Sequence, residues 1–259
     1  MRKLLLVSAA LAVGAAGGAN AADLPVKAAP MAPAYVAAAN WTGCYLGAGG
    51  GYGMWNQDHR ESFLSGAPDS FNQTSGGRGW FGTVQGGCDY QVSNSFLFGA
   101  FADFDWSSIK GDTELSIATF PFAGTEKLSR SFAVGGRIGW LPTDRLLTFV
   151  SGGYTQARFD AYNLSFNFAT GGPPFFGVNA ANRGGWFIGS GYEYALGWLP
   201  GLYWKTEYRF ADYGDRTDTV FVLATGAPFE NTTSHKYVQT IRSELVWRFN
   251  FGGPVRAAY

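Results

Sequence analysis

Strand-like segments of this chain alternate bulky apolar residues with glycines and charges, and the charges fall on the face built from small residues. Over 95–107, Phe96, Phe98, Ala100, Ala102, Phe104 and Trp106 share one face, opposite Ser95, Gly99, Asp103 and Asp105. Over 184–199, Trp186, Ile188, Ser190, Tyr192, Tyr194, Leu196 and Trp198 oppose Gly189, Gly191, Glu193, Ala195 and Gly197. Leu202, Trp204, Thr206, Tyr208 and Phe210 oppose Tyr203, Lys205, Glu207 and Arg209, and Ile241, Leu245, Trp247, Phe249 and Phe251 oppose Thr240, Arg242, Glu244 and Arg248. A period of two is that of a β-strand. A water-soluble barrel would turn its large apolar residues inward and its charges outward. Here the broad aromatic face needs an apolar solvent, because an Arg or Lys facing lipid costs about 2–4 kcal/mol at mid-depth. The pattern therefore predicts an all-β chain that crosses a membrane as a barrel.

Eight segments qualify as strands: 41–56, 78–91, 95–107, 129–141, 145–163, 184–199, 202–213 and 236–251. In 145–163 the parity is undecided, since Leu146, Thr148 and Val150 compete evenly with Leu147, Phe149 and Ser151. The connections 92–94, 142–144 and 200–201 are tight, whereas 57–77, 108–128, 164–183 and 214–235 are long and rich in Gly, Ser, Thr, Asn and Pro. Outer-membrane barrels have this asymmetry, with short periplasmic turns and long extracellular loops. The expectation is an eight-stranded antiparallel up-and-down barrel over 41–251. Gly139-Trp140-Leu141-Pro142 recurs as Gly197-Trp198-Leu199-Pro200, each closing a strand before a tight turn, where Pro can end a ladder.

All nine tryptophans fall near strand ends in this scheme. Trp41, Trp140, Trp198, Trp204 and Trp247 lie near the periplasmic ends, and Trp55, Trp80, Trp106 and Trp186 near the outer ones. Indole rings favour the membrane–water interface, so all nine are assigned to two interfacial belts.

The N-terminus supports export. Arg2 and Lys3 precede an apolar run from Leu4 to Val13 and small residues ending in Ala19-Asn20-Ala21, the layout of a signal peptide over 1–21. Residues 22–40 are Ala/Pro-rich without strand or helix period and read as a periplasmic linker; 252–259 form a C-terminal extension. No apolar run reaches the roughly 20 residues of a spanning helix. Setting aside Arg2 and Lys3, 19 basic residues become 17 against 19 acidic, so no basic field invites nucleic acid. The 37 glycines and 17% aromatic content suit a small barrel in which Gly lets bulky neighbours pack.

Three stretches carry a resemblance: Trp41-Thr42-Gly43-Cys44-Tyr45-Leu46-Gly47, Gln85-Gly86-Gly87-Cys88-Asp89-Tyr90-Gln91 and Leu245-Val246-Trp247-Arg248-Phe249-Asn250-Phe251. They resemble the small alphaproteobacterial outer-membrane porin-family proteins, related to opacity-like and OmpA-type transmembrane barrels. From Trp41 onward the resemblance implies an eight-stranded barrel, abundant in the outer membrane and often antigenic. It also implies an assembly signal ending on an aromatic residue, which the alternation assigns to Phe249 and Phe251 rather than Tyr259.

Among groups with chemical potential, Cys44 and Cys88 are an even pair in an exported chain, which favours a disulfide over two buried thiols. They lack the further ligands of a metal site. Asp103, Asp105, Glu193, Glu207 and Glu244 face Arg137, Lys205, Arg209, Arg242 and Arg248 across the expected interior, five of each sign. An eight-stranded interior is only wide enough for side chains to fill, so these charges are read as a mutually paired plug, with a narrow ion pathway as the alternative. Asp103 and Asp105 as an acid–base pair, and Ser234 beside His235 as part of a hydrolytic site, are weaker readings, because sequence neighbours on a strand face opposite ways. Gly47 to Gly53 lacks the register of a phosphate-binding loop. Phe166, Phe168, Phe175 and Phe176 are read as packing on the barrel rim, with recognition of a surface partner as the alternative. The chain is thus expected to be a non-enzymatic, surface-exposed structural barrel without cofactor or metal. Its expected partners are outer-membrane lipids, lipopolysaccharide and the barrel-assembly machinery; the alternatives are a small-solute porin and a lipid-modifying enzyme.

Overall fold

The computed structural model describes residues 41–117, 120–166 and 172–249. The signal peptide, the linker, the C-terminal extension, Phe168 and Phe251 lie outside them. The described chain forms ten strands: β1 (Gly43–Phe63), β2 (Gln73–Gln91), β3 (Phe96–Ile117), β4 (Phe120–Thr143), β5 (Leu146–Phe159), β6 (Tyr162–Ser165), β7 (Pro174–Val178), β8 (Ala181–Ala195), β9 (Leu202–Val222) and β10 (Pro228–Phe249). Every pairing is antiparallel, in the cyclic order β1-β2-β3-β4-β5-β8-β9-β10, with β10 returning to β1 from Cys44↔Phe249 to Phe63↔Glu230. Closure removes both sheet edges, so the ladder is satisfied all round the ring.

The ring keeps eight strands over its whole height. Where β5 and β8 stop, β6 and β7 take their places, β6 pairing with β4 and β7 with β9. The supposed long outer loops are therefore mostly strand, with short connections such as 64–72 and 223–227. The Ser, Thr and Gly that look like turn residues instead pair across strands: Thr217 and Thr233 meet hydroxyl to hydroxyl at 2.8 Å on the outer face. Strands of 21 to 24 residues, as in β1, β3, β4, β9 and β10, are roughly twice what a bilayer requires.

Burial follows the expected inversion in the lower part of the ring. Phe96, Phe98, Ile138, Ile188, Ile241 and Leu245 are each about half exposed on the outside, while the charged residues alternating with them are buried inside. The undecided β5 turns Leu147, Phe149 and Ser151 inward and Val150 outward. Glycines opposite interior rings make room for them: a Cβ at Gly51 would meet Phe81 at 2.6 Å, and one at Gly135 would meet Phe187 at 2.7 Å. Above, apolar residues join the buried polar ones on the inner face. Leu115, Ile117, Tyr162, Leu164, Val178 and Val220 form a buried apolar cluster inside the rim, as in a water-soluble barrel. Phe122 packs on Phe166, Phe175 and Phe176 at centroid separations of 5.5, 6.5 and 5.0 Å, so these phenylalanines belong to the rim.

Cys44 and Cys88 are directly opposite in the β1–β2 register and are joined by a disulfide closing a 44-residue separation. A loop of that size restricts the unfolded chain by about 4 kcal/mol in the chain-entropy account. Replacing both by Ser is expected to lower unfolding stability by about 2–4 kcal/mol in a guanidinium titration of the lipid-embedded protein. An unchanged midpoint would contradict that estimate.

Candidate functional site

The candidate site is the lumen, where side chains from all eight strands of the lower ring meet. Its lowest layer joins Asp89 (β2), Arg137 (β4), Glu193 (β8) and Arg248 (β10). Arg137 donates to both oxygens of Asp89 at 2.9 and 2.5 Å and to Glu193 at 3.3 Å. Arg248 donates to Glu193 and Asp89, both at 2.7 Å. The guanidiniums also lie over aromatic rings, Arg137 over Tyr45 at 4.6 Å and Arg248 over Trp41 at 4.8 Å. Each charge thus has two opposite partners, which offsets the large cost of removing it from water.

The middle layer continues the pairing. Lys205 contacts Glu207 at 3.0 Å, Glu244 at 3.7 Å and the Gln85 side chain at 2.8 Å. Arg209 bridges Asp103 at 2.9 Å and Glu207 at 3.3 Å; Arg242 bridges Asp105 at 3.1 Å and Asp103 at 3.5 Å. Ser151 and Ser131 donate to Glu207 and Asp105. Phe101, Phe149 and Phe187 fill the space between the cations, with Arg209 only 4.3 Å from the Phe187 centroid. Glu244 differs from its neighbours, because neither of its buried oxygens accepts a hydrogen bond. Glu244→Gln is therefore expected to change unfolding stability by less than about 1 kcal/mol, since Lys205 keeps Glu207 and Gln85. A loss above about 3 kcal/mol in the same titration would show that Glu244 is an essential counter-charge.

Higher up, Lys236 holds Glu126 at 2.6 Å, donates to the Gln57 side-chain oxygen Oε1, and lies 4.5 Å from the Phe159 ring and 5.0 Å from Trp55. Arg183 donates to Ser234 and pairs with Asp218 at 3.1 Å. The cavity beside these groups has about 10 Å³, room for about one water. In the rim above, Glu61 is bonded to Ser70, and burial still pushes its carboxyl above the usual range.

All ten charges expected inside are buried there: Asp103, Asp105, Arg137, Glu193, Lys205, Glu207, Arg209, Arg242, Glu244 and Arg248. Sequence reasoning missed Asp89, Glu126, Arg183 and Lys236. Asp89 shares the parity of Thr83 and Gln85, opposite Trp80 and Val84, and that alternation could have revealed it. The other three sit in or beside segments taken for loops.

Seven tryptophans are exposed on the outer face or in the turns. Trp140, Trp198, Trp204 and Trp247 lie at the turn end, and Trp80, Trp106 and Trp186 toward the rim. Trp41 and Trp55 do not belong with them, both being fully buried. Trp55 shares the inward parity of Tyr45 and Gln57, and Gly77 leaves space for its ring, since a Cβ there would meet the indole at 2.5 Å. Tyr52 and Met54, alternating with Gly51 and Gly53, set the outward parity and put Trp55 on the inner face, a signal that assignment by nearness to a strand end overrides. Trp41 folds across the lower mouth, its indole donating to the Asp144 carbonyl at 3.2 Å. Ser234 points into the lumen toward Arg183, whereas His235 is on the other face between Asp212 at 2.8 Å and Asp215 at 3.0 Å. The two do not form a nucleophile–base pair.

A closed eight-stranded ring, apolar outside and ion-paired within, is the architecture of an outer-membrane β-barrel protein, associated with membrane lipids. Its course is similar to that of OprG from Pseudomonas aeruginosa, with a TM-score of 0.55 and 11% identity over 82% of this chain and 100% of that one, a likeness of fold alone. No protein-family model matches the chain. It is 30% identical over 225 residues to the 31 kDa outer-membrane immunogenic proteins of Brucella melitensis biotype 1 and Brucella suis biovar 1, covering 83% of this chain and 89% of each relative. The chain belongs to the family of these outer-membrane proteins.

Proposed function

We propose that this protein is a structural barrel of the outer membrane that carries a rigid, strand-built rim into the surroundings of the cell. The observation that carries this reading is the lumen, whose charges pair with one another and with aromatic rings and leave little for a passing ion. That pairing disfavours the small-solute porin. The exposed tryptophans would mark the two membrane boundaries: Phe96 lies opposite Trp140, and Trp106 is ten residues further along the same strand, about 25 Å for a tilted strand. Phe249, exposed at the end of β10, fits the assembly signal that the barrel-assembly machinery would read. The relatives are named as immunogenic, and the rim connections 64–72 and 223–227 are the segments antibodies would reach.

The test is labelling of intact cells with antibodies raised against those two connections, together with the permeability of a deletion strain to detergent. The reading expects surface labelling, and a leakier envelope restored by the wild-type gene. Labelling that needs the outer membrane to be opened first, or a deletion strain with wild-type permeability, would overturn it.

A further inference from the structure

Cations crowd one side of the barrel's outer face at the foot of the rim. Arg78 on β2 is directly opposite Lys110 on β3, and Lys110 is directly opposite Lys127 on β4. One step lower, Arg130 on β4 is opposite both Trp106 and Arg158 on β5. Like charges in cross-strand pairs repel, and such registers are normally avoided. Among the described residues, Arg78, Lys110, Lys127 and Arg130 make no ion pair, and Arg158 reaches Asp160 only at 3.8 Å. Carboxylates on this face are engaged or set higher: Asp112 accepts from Thr125, Asp58 accepts from Thr74, and Glu114 lies toward the top of β3. Across the barrel, at the outer ends of β9 and β10, Arg216 is paired with Asp218, and the His235 ring nitrogens contact Asp212 and Asp215. Among the described residues, the four cations Arg78, Lys110, Lys127 and Arg130 therefore keep their side chains free of direct salt bridges, with Asp112 and Glu114 the acidic groups above them on β3.

Below them the surface turns apolar. Arg130 and Arg158 flank a cleft of about 240 Å³ whose other walls include Phe104, Phe132 and Gln156. Phe132 and Val134 continue the outward stripe of β4 beneath Arg130, and Trp106 stands beside it. A ligand filling this surface needs phosphate oxygens for the cations and hydrocarbon for the aromatic cleft, both at the boundary of the outer leaflet. We infer that this band is a docking site for the phosphorylated lipid A portion of lipopolysaccharide, with one phosphate between Arg130 and Arg158 and a second toward Lys110 and Lys127. The inference rests on the proposed placement of the barrel with its rim outward. Two groups of cations, one flanking the cleft and one a step above it, match a glycolipid bearing two phosphates better than a phospholipid bearing one. Guanidinium and ammonium groups suit phosphate oxygens, and desolvation at the leaflet boundary strengthens them.

The test uses the full-length protein in detergent, with native mass spectrometry and titration by rough lipopolysaccharide, by its enzymatically dephosphorylated form and by phosphatidylglycerol. The triple variant Lys110→Gln, Arg130→Gln, Arg158→Gln is expected to bind lipopolysaccharide at least about tenfold more weakly than wild type. Arg145→Gln, which removes a cation at the opposite end of the barrel, should leave binding unchanged. Dephosphorylated lipid should bind wild type and triple variant equally weakly. Undiminished lipopolysaccharide binding by the triple variant, or phosphatidylglycerol binding as tight as lipopolysaccharide, would overturn the inference. Heat-modifiable gel mobility of the variant and surface labelling of the wild type separate these failures from misfolding and from a wrong placement of the barrel.

Discussion

Glu193→Leu is expected to cost about 3–5 kcal/mol of unfolding stability, among the largest effects of any single lumen substitution. Glu193 is fully buried and bridges Arg137 and Arg248, so its loss leaves two guanidiniums sharing Asp89 alone in a site closed to water. The cost comes from the stranded charge more than from the lost bonds. The double variant Glu193→Leu, Arg137→Leu should therefore be more stable than Glu193→Leu alone, because it restores one cation to one anion. Equilibrium unfolding in guanidinium with lipid vesicles gives both values. A single variant within about 1 kcal/mol of wild type, or a double variant less stable than the single one, would show that the four charges are not coupled.

Trp55→Ala is expected to cost about 3–5 kcal/mol, whereas Trp106→Ala should cost much less. The Trp55 ring fills the upper lumen, 6.3 Å from the Phe159 ring and covering Lys236, and its removal leaves a cavity that closed strands cannot collapse into. Trp106 stands on the outer surface, where lipid replaces what is lost. Single-tryptophan fluorescence offers a second measure: brominated lipids should quench Trp106 and leave Trp55 bright. Equal stability losses with equal quenching would return Trp55 to the interfacial belt.

These two residues show what could be read in advance and what could not. Parity revealed the inward set wherever a segment offered large apolar residues as a reference, as around Asp103, Glu193, Lys205 and Arg242. At Trp55 the outward Tyr52 and Met54 offered a direction that the belt assignment passed over, and in β5 parity gave none, because both faces hold apolar residues. The rim escaped for a different reason. Above the membrane the outer face is polar and the inner face mixes apolar residues such as Leu115 and Val220 with buried polar ones such as Glu61 and Thr113, so a pattern tuned to lipid reads those strands as loops, and Glu126 was lost with them while Lys236 fell at a segment's edge. The β6–β7 hairpin could not be foreseen, because its place in the ring depends on β5 and β8 stopping short. Cys44 and Cys88 were legible as a pair because export and an even count needed no geometry.

The central claim is that the paired charges close the lumen. Planar-bilayer recording of the purified, heat-modifiable wild-type protein tests it most directly, with insertion verified by protease protection of the same preparation. Closure predicts no regular unitary conductance in molar potassium chloride; reproducible steps whose ion selectivity changes in Arg242→Gln or Lys205→Gln would contradict it.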